Sequence, residues 1–428
     1  MTLPPQMRSL FAPLLRHLPQ GALAFDASVI FGGFSLQLLT QIGWLIMAVR
    51  FLGPEGYGLF ASLTAITVAV SCFVGWGCDQ MLIRAVAADR TKLQGWLGHS
   101  LIAITGTALA MGTVCFAVLA VLDIGAIGTG PLLAVLMADL LLARYANLCI
   151  AVYMATGEAT RQSTVTVLIG ACRLVAIALA AAMPGELPLA EWAWWYAGSS
   201  AVAAGLCLGL AVHDHGLPRW TWVAGLTGDG FAFSAESALQ ASIKDLDKPI
   251  IAAILGPAAA GLYAAAFRII DTLSLPIRAL GYAIYPRLFR MAAEGREACV
   301  ELALRLLPLG VGVGLAGAAG VLIFAGLLPW IFGAAYEELP WLTRLLTPMP
   351  ALFAAYVVGA DALSAIGRQS VRLLVVVASL GMTLLLCWFG AEQAGVAGAA
   401  IARILVAAAT VALVWALILL PRRQRLEA

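Results

Sequence analysis

The sequence predicts an all-α integral membrane protein of about twelve transmembrane helices, arranged as two six-helix lobes around a central cavity. Three observations carry this expectation. The 428 residues are 62% hydrophobic and only 11% charged, with mean hydropathy +0.96, far from the roughly 45–50% apolar and about 25% charged make-up of soluble domains. Apolar runs of about 20 residues, enough to cross the hydrocarbon core, recur along the whole chain. The stretch "LGPEGYGLFA" at 52–61 returns as "LGPAAAGLYA" at 255–264, which divides the chain into equal halves.

The elements follow in order. Residues 1–25 carry Met7, Leu10, Phe11, Leu14, Leu15 and Leu18 at helical spacing beside Arg8, Arg16 and His17, the pattern of a helix lying on a membrane surface. No small-residue cleavage site follows an apolar core there, so the segment does not read as a removable signal peptide. Spans are expected near 27–49, 57–78, 97–121, 131–155, 163–183 and 191–212 in the N-lobe, residues 26–212. Residues 213–224 contain "HDHGLPRW" and read as a solvated linker, with His213 and His215 as linker residues rather than metal ligands. The C-lobe, residues 225–420, holds spans near 230–254, 261–285, 304–328, 345–366, 371–390 and 395–420, and a basic tail closes the chain at 421–428.

Loop charge orients the spans, because Lys and Arg are retained on the cytoplasmic side. Arg8, Arg16, Arg84, Arg90, Lys92, Arg161, Arg219, Arg287, Arg290, Arg296, Arg305, Arg368, Arg372, Arg422, Arg423 and Arg425 fall on one side, against only Arg50 and Arg344 on the other. Both termini are therefore expected in the cytoplasm, in a bacterial inner membrane. The repeat offset is 203 residues, which also carries Arg84 onto Arg287, and a weaker echo pairs "ATGEATRQS" with "AIGRQS". With six spans per half the repeat is parallel, related by an axis along the membrane normal. Each "LGP" reads as a turn, with Gly for backbone freedom and Pro for a tight reversal.

The eight cysteines show no CxxC or Cys/His spacing and read as buried free thiols, without a metal site. Net charge +2 gives no basic excess for nucleic acid. The remaining seven basic residues, Arg144, Arg173, Lys244, Lys248, Arg268, Arg278 and Arg403, fall inside spans, with Asp139, Glu236, Asp245, Asp247, Asp271 and Asp361. A charge at mid-bilayer costs at least ~2.5–3.5 kcal/mol, so such groups face a bundle interior or a wet cavity. On a continuous seventh helix Glu236, Ser237, Gln240, Lys244, Asp247 and Lys248 share an arc of about 120°, leaving only Asp245 aside. Pairing of Lys244 with Asp247 and of Asp245 with Lys248 at i,i+3 would make these charges a structural glue. Buried ion pairs are poor sources of stability, which favours instead a hydrated cleft whose Lys and Arg receive an anionic head group.

The order "FLGPEGYGLFA", "GWGCDQMLIRAVA", "DLDKPIIAAILGPAAAGLYAAAFRI" and "YPRLF" resembles the polysaccharide repeat-unit flippases of the multidrug, oligosaccharidyl-lipid and polysaccharide exporter superfamily, from about residue 26 to 420. The resemblance implies transport of polyprenyl-pyrophosphate-linked oligosaccharide from the cytoplasmic to the outer leaflet, for polymers such as O-antigen or exopolysaccharide. It places the family's acidic-then-basic pair of the seventh span on Asp247 and Lys248, and its cavity arginines on Arg268 and, as a second candidate, Arg278. The first span lacks an arginine before Arg50, unlike relatives that carry a peptidoglycan precursor. Substrate binding is thus expected at Lys244, Lys248, Arg268, Arg278, Arg144 and Arg173, with Asp247, Asp271 and Glu236 as coupling candidates for H+ or Na+ and no other cofactor. Membrane lipid and the lipid-linked glycan are the expected partners, with polysaccharide polymerases and glycosyltransferases as candidate protein partners. The nearest rival is a cation-coupled drug antiporter of the same superfamily, which needs an acidic cavity. A membrane-embedded polymerase or glycosyltransferase is disfavoured, because the external loops are short and "DLD" at 245–247 lies deep in a span.

Overall fold

A computed structural model describes residues 22–121, 128–183, 187–223 and 227–419. The surface helix expected at the N-terminus and the basic tail lie outside the described residues, apart from 22–25, which are helical. Among the described residues the chain is helical throughout, without a strand.

In chain order the N-lobe comprises α1 (Ala22–Ser71), α2 (Cys78–Ala88), α3 (Leu93–Val121), α4 (Thr129–Thr156), α5 (Ala159–Ala181) and α6 (Leu189–His215). The C-lobe comprises α7 (Thr227–Asp245), α8 (Asp247–Leu255), α9 (Pro257–Leu273), α10 (Leu275–Glu294), α11 (Arg296–Phe324), the short α12 (Leu328–Phe332) and α13 (Leu339–Leu345), α14 (Pro348–Ala365) and α15 (Gln369–Leu419). Large apolar side chains such as Leu109, Val114, Leu179, Ile323, Leu374 and Leu385 are exposed on these helices, the surface a lipid-facing bundle presents.

Among the described residues eight continuous helices qualify by length and apolarity as membrane crossings, against the roughly twelve spans expected. Part of the difference is covalent continuity. Helix α1 breaks at Gly53, whose φ of 67° suits glycine, and folds back so that Trp44 and Phe60 meet with ring centroids 6.2 Å apart. Helix α15 breaks at Ala394 and Gly395 and folds back likewise, bringing Ser379 Oγ within 2.8 Å of Thr410 Oγ1. The expected seventh and eighth spans, by contrast, are each divided in two. Pro249 has no N–H to give the carbonyl of Asp245, and Pro276 none for that of Thr272, so the ladders break at Leu246 and Ser274.

The repeat has a packing role that a turn-maker reading does not contain. A Cβ on Gly58 would lie 1.8 Å from the carbonyl oxygen of Pro257, and one on Gly261 would lie 1.9 Å from that of Pro54. These four positions are repeat equivalents, so the two halves touch backbone to backbone about their own pseudo-twofold axis. Gly53 and Gly256 both take positive φ, 67° and 90°, so the same turn serves both halves. Packing this close is reserved for residues without a side chain, as in membrane helix pairs generally.

The linker keeps Leu217, Arg219, Trp220, Thr221 and Trp222 exposed while its backbone is tied to α3. Arg219 N–H donates to the Gln94 carbonyl at 2.9 Å, Thr221 Oγ1 to that of Gly95 at 3.1 Å, and Val223 N–H to His99 Nδ1 at 3.2 Å. The segment therefore lies along the start of α3, where a Cβ on Gly98 would sit 2.0 Å from the Arg219 carbonyl oxygen. His213 and His215 close α6, with His213 Nδ1 3.0 Å from Asp214 and His215 Nε2 3.7 Å from Glu158.

Candidate functional site

Between the lobes lies a cavity of about 320 Å³, lined from α1, α4, α5 and α6 on one side and α7, α8 and α9 on the other. It runs from Tyr57, beside the backbone contact of the repeats, to Gln37 and Ser71, about four helical turns away along each arm of α1. Lys244, Lys248, Arg268, Arg144 and Arg173, five of the six cations expected to bind substrate, line this one space. Arg278 lines an adjoining cavity inside the C-lobe, which shares Lys244, Phe267 and Asp271 with the first.

The cations are not equivalent. Lys244 Nζ is 2.7 Å from Asp271, which also holds Arg278 at 2.9 Å. Lys248 Nζ lies 2.5 Å from Asp245 and touches the Lys244 carbonyl at 3.4 Å. Arg144 is held 2.5 Å from Asp79 of α2. Among the described residues only Arg173 and Arg268 of this group make no ion pair within 4 Å. Arg173 donates to the Tyr196 hydroxyl at 3.3 Å, and its guanidinium sits 5.2 Å from that ring's centre. Arg268 lines the cavity together with Tyr57 and is exposed to it. Both line the same cavity as Tyr196.

The break at Leu246 overturns the single polar arc expected for the seventh helix. Asp247 turns away from the cavity and is fully buried, accepting a hydrogen bond from Tyr263 at 2.7 Å with Arg403 at 3.7 Å. Asp245, expected off the arc, lines the cavity instead. Of the two i,i+3 pairs only Asp245 with Lys248 forms; Lys244 reaches across to α9. Arg403 continues to Thr383 at 3.2 Å and lies 5.4 Å from the Phe267 ring centre, so Asp247 belongs to a network within the C-lobe. Glu236 faces Gln240 at 3.5 Å and lines neither cavity.

Several functional candidates escape sequence reasoning. Tyr57 occupies the repeat position that is Ala260 in the second half, an asymmetry visible in the paired decapeptides. Asp139, on a π-helical turn at Ala138–Leu142, accepts hydrogen bonds from Thr67 and from Tyr196 at 2.6 Å. Such turns often mark functional sites because the extra residue re-aims side chains. The cleft also carries Gln37, Gln41 and Asn147, neutral amides suited to hydroxyl-rich ligands.

A family model described as "Polysaccharide biosynthesis protein" matches residues 23–292, more than half of the sequence. The chain belongs to this family. Solved structures similar to the family member described here include a multidrug resistance MATE family transporter of the MOP superfamily in an inward-facing conformation, at TM-score 0.75 and 16% identity, covering 89% of this chain and 94% of that one. The outward-facing conformation of such a transporter gives TM-score 0.66 at 16% identity, covering 92% and 93%. A MOP superfamily transporter from Pyrococcus furiosus with a binding pocket of reverse polarity gives 0.64 at 16% identity, covering 92% and 94%. Among curated proteins, none matches the sequence significantly. The fold is the one these solved membrane transporters share, and the apolar helices are those of a multi-pass membrane protein.

Proposed function

We propose that the protein is a bacterial inner-membrane flippase that carries polyprenyl-pyrophosphate-linked oligosaccharide from the cytoplasmic to the outer leaflet by alternating access, with both termini in the cytoplasm. The observation that carries this reading is the cation set of the interlobe cavity. Its charged lining comprises five basic residues, Arg144, Arg173, Lys244, Lys248 and Arg268, and three acidic ones, Asp139, Asp245 and Asp271. That excess suits an anionic head group and is opposite to what a cationic drug requires.

Arg173 and Arg268 are the first contacts for the pyrophosphate, because neither has to leave a carboxylate to bind it. Arg guanidinium matches phosphate oxygens bidentately. Lys244 and Lys248 join once the phosphate competes with Asp271 and Asp245 for them. Released from Lys244, Asp271 keeps only Arg278 as a partner and has one oxygen open to H+ or Na+, which links cargo and coupling ion through one residue. Glu236 is a further coupling candidate; Asp247 acts through the C-lobe network. The glycan occupies the amide-lined part of the cleft, and the lipid tail stays in the bilayer.

The test is neutral substitution in cells: Arg268→Ala and Lys244→Ala should each abolish surface polysaccharide at unchanged protein level. Normal glycan from both variants would sink the assignment.

A further inference from the structure

The C-lobe cavity beside the main cleft, about 430 Å³ in volume, has no task in pyrophosphate binding. Its size falls within the range of small-molecule pockets, about 300–1,000 Å³, and exceeds what a bare coupling ion needs. Asp361 of α14 lines it without a hydrogen bond or an ion pair within 4 Å among the described residues; Arg372 of α15, which donates to Ser364 Oγ at 2.9 Å, lines the same cavity. Arg403, only 7% exposed, and Arg278 both line the cavity with an Nε that has no hydrogen-bond partner. Ser379 and Thr410 face each other at 2.8 Å, either able to donate.

The cavity thus offers an acceptor-only carboxylate, donor-only guanidiniums and ambivalent hydroxyls side by side. An anion would be opposed by Asp361, while a bare cation has nothing to offer the open Nε–H groups of Arg278 and Arg403, whose charges already face Asp271 at 2.9 Å and Asp247 at 3.7 Å. A ligand bearing vicinal hydroxyls, each both donor and acceptor, satisfies all three, while Phe353 and Leu352 of the lining suit the C–H face of a ring. We propose that this cavity is a carbohydrate subsite that holds one sugar ring of the cargo. The inference rests on the flippase reading above. Lys244 and Asp271 border both spaces, so a glycan attached to a pyrophosphate in the cleft enters it directly, and the C-lobe reads the sugar while the cleft holds the charge.

The experiment uses the full chain in lipid nanodiscs with two probes. One is undecaprenyl pyrophosphate without sugar; the other is a set of methyl glycosides of a hexose, an N-acetylhexosamine and a hexuronic acid, read by saturation-transfer NMR. At least one glycoside should bind the wild type, and Asp361→Asn should weaken it about tenfold, as expected for losing a hydrogen bond to a charged group. Ala407→Phe, which fills the cavity, should abolish it. Undecaprenyl pyrophosphate should bind all three proteins alike, which also reports that the variants fold. Absence of glycoside binding to a wild type that binds the bare lipid pyrophosphate overturns the subsite alone, as does glycoside binding that survives both substitutions. A wild type that binds glycosides but not the lipid pyrophosphate counts against the pyrophosphate cargo and leaves the sugar site standing.

Discussion

Substituting Gly261 by Ala tests whether the repeat contact is the closed gate of an alternating-access cycle. The new Cβ would lie 1.9 Å from the Pro54 carbonyl oxygen and 3.0 Å from Gly58 N, where ordinary contact begins at 3.4 Å. The oxygen must therefore retreat by 3.4 − 1.9 = 1.5 Å, and because both obstacles are backbone atoms no side-chain rotation can relieve them. Overpacking of this kind costs about 1–3 kcal/mol. If the contact exists only when this end is shut, the whole penalty falls on one conformer and shifts the population by roughly 5- to 150-fold, at tenfold per 1.4 kcal/mol. Gly58→Ala, with its Cβ 1.8 Å from the Pro257 oxygen, should do the same by symmetry. The assay is a distance distribution by pulsed electron resonance between spin labels on Glu55→Cys and Ala258→Cys, both exposed and repeat-equivalent, in nanodiscs. The variants should populate a longer distance that is minor in the parent. Gly205→Ala, where nothing lies within 4 Å, should leave the distribution unchanged. A short distance retained in both Gly58 and Gly261 variants would refute the gate.

Other outcomes follow from the charged networks and the linker. Tyr263→Phe removes the 2.7 Å bond to the fully buried Asp247 and should cost about 1–3 kcal/mol, seen as a lower melting temperature of the purified protein. Asp79→Asn leaves Arg144 without its partner at 2.5 Å and should destabilise by up to about 3–5 kcal/mol, whereas Asp79→Asn combined with Arg144→Gln should recover much of the loss. Gly98→Ala should unseat the Arg219 carbonyl from α3, raising protease cleavage within 216–223.

The sequence makes the membrane class legible because lipid imposes long apolar runs, and it makes the halves legible because "LGPxxxGLxA" survives in both. What it hides is tertiary. The break at Leu246 has a local cause in Pro249, yet its effect, turning Asp247 inward and Asp245 to the cleft, depends on Tyr263 and Arg403 being there to receive a buried carboxylate. Lys244 prefers Asp271 of α9 to an i,i+3 neighbour because helix packing sets that distance. Arg372, which reads as a cytoplasmic loop residue, lines the C-lobe cavity, since α15 begins at Gln369 and carries it inward. The closeness of Gly58 to Pro257 joins residues 199 apart (257 − 58) and leaves no local trace beyond the glycine itself.

Mass analysis of polyprenyl-linked intermediates, in cells lacking the protein and complemented with wild type or Arg268→Ala, tests the central claim most directly. A pyrophosphate-linked oligosaccharide that accumulates on the cytoplasmic leaflet, cleared by wild type and not by the variant, is the predicted result. Lipid intermediates that stay unchanged when the protein is removed would contradict it.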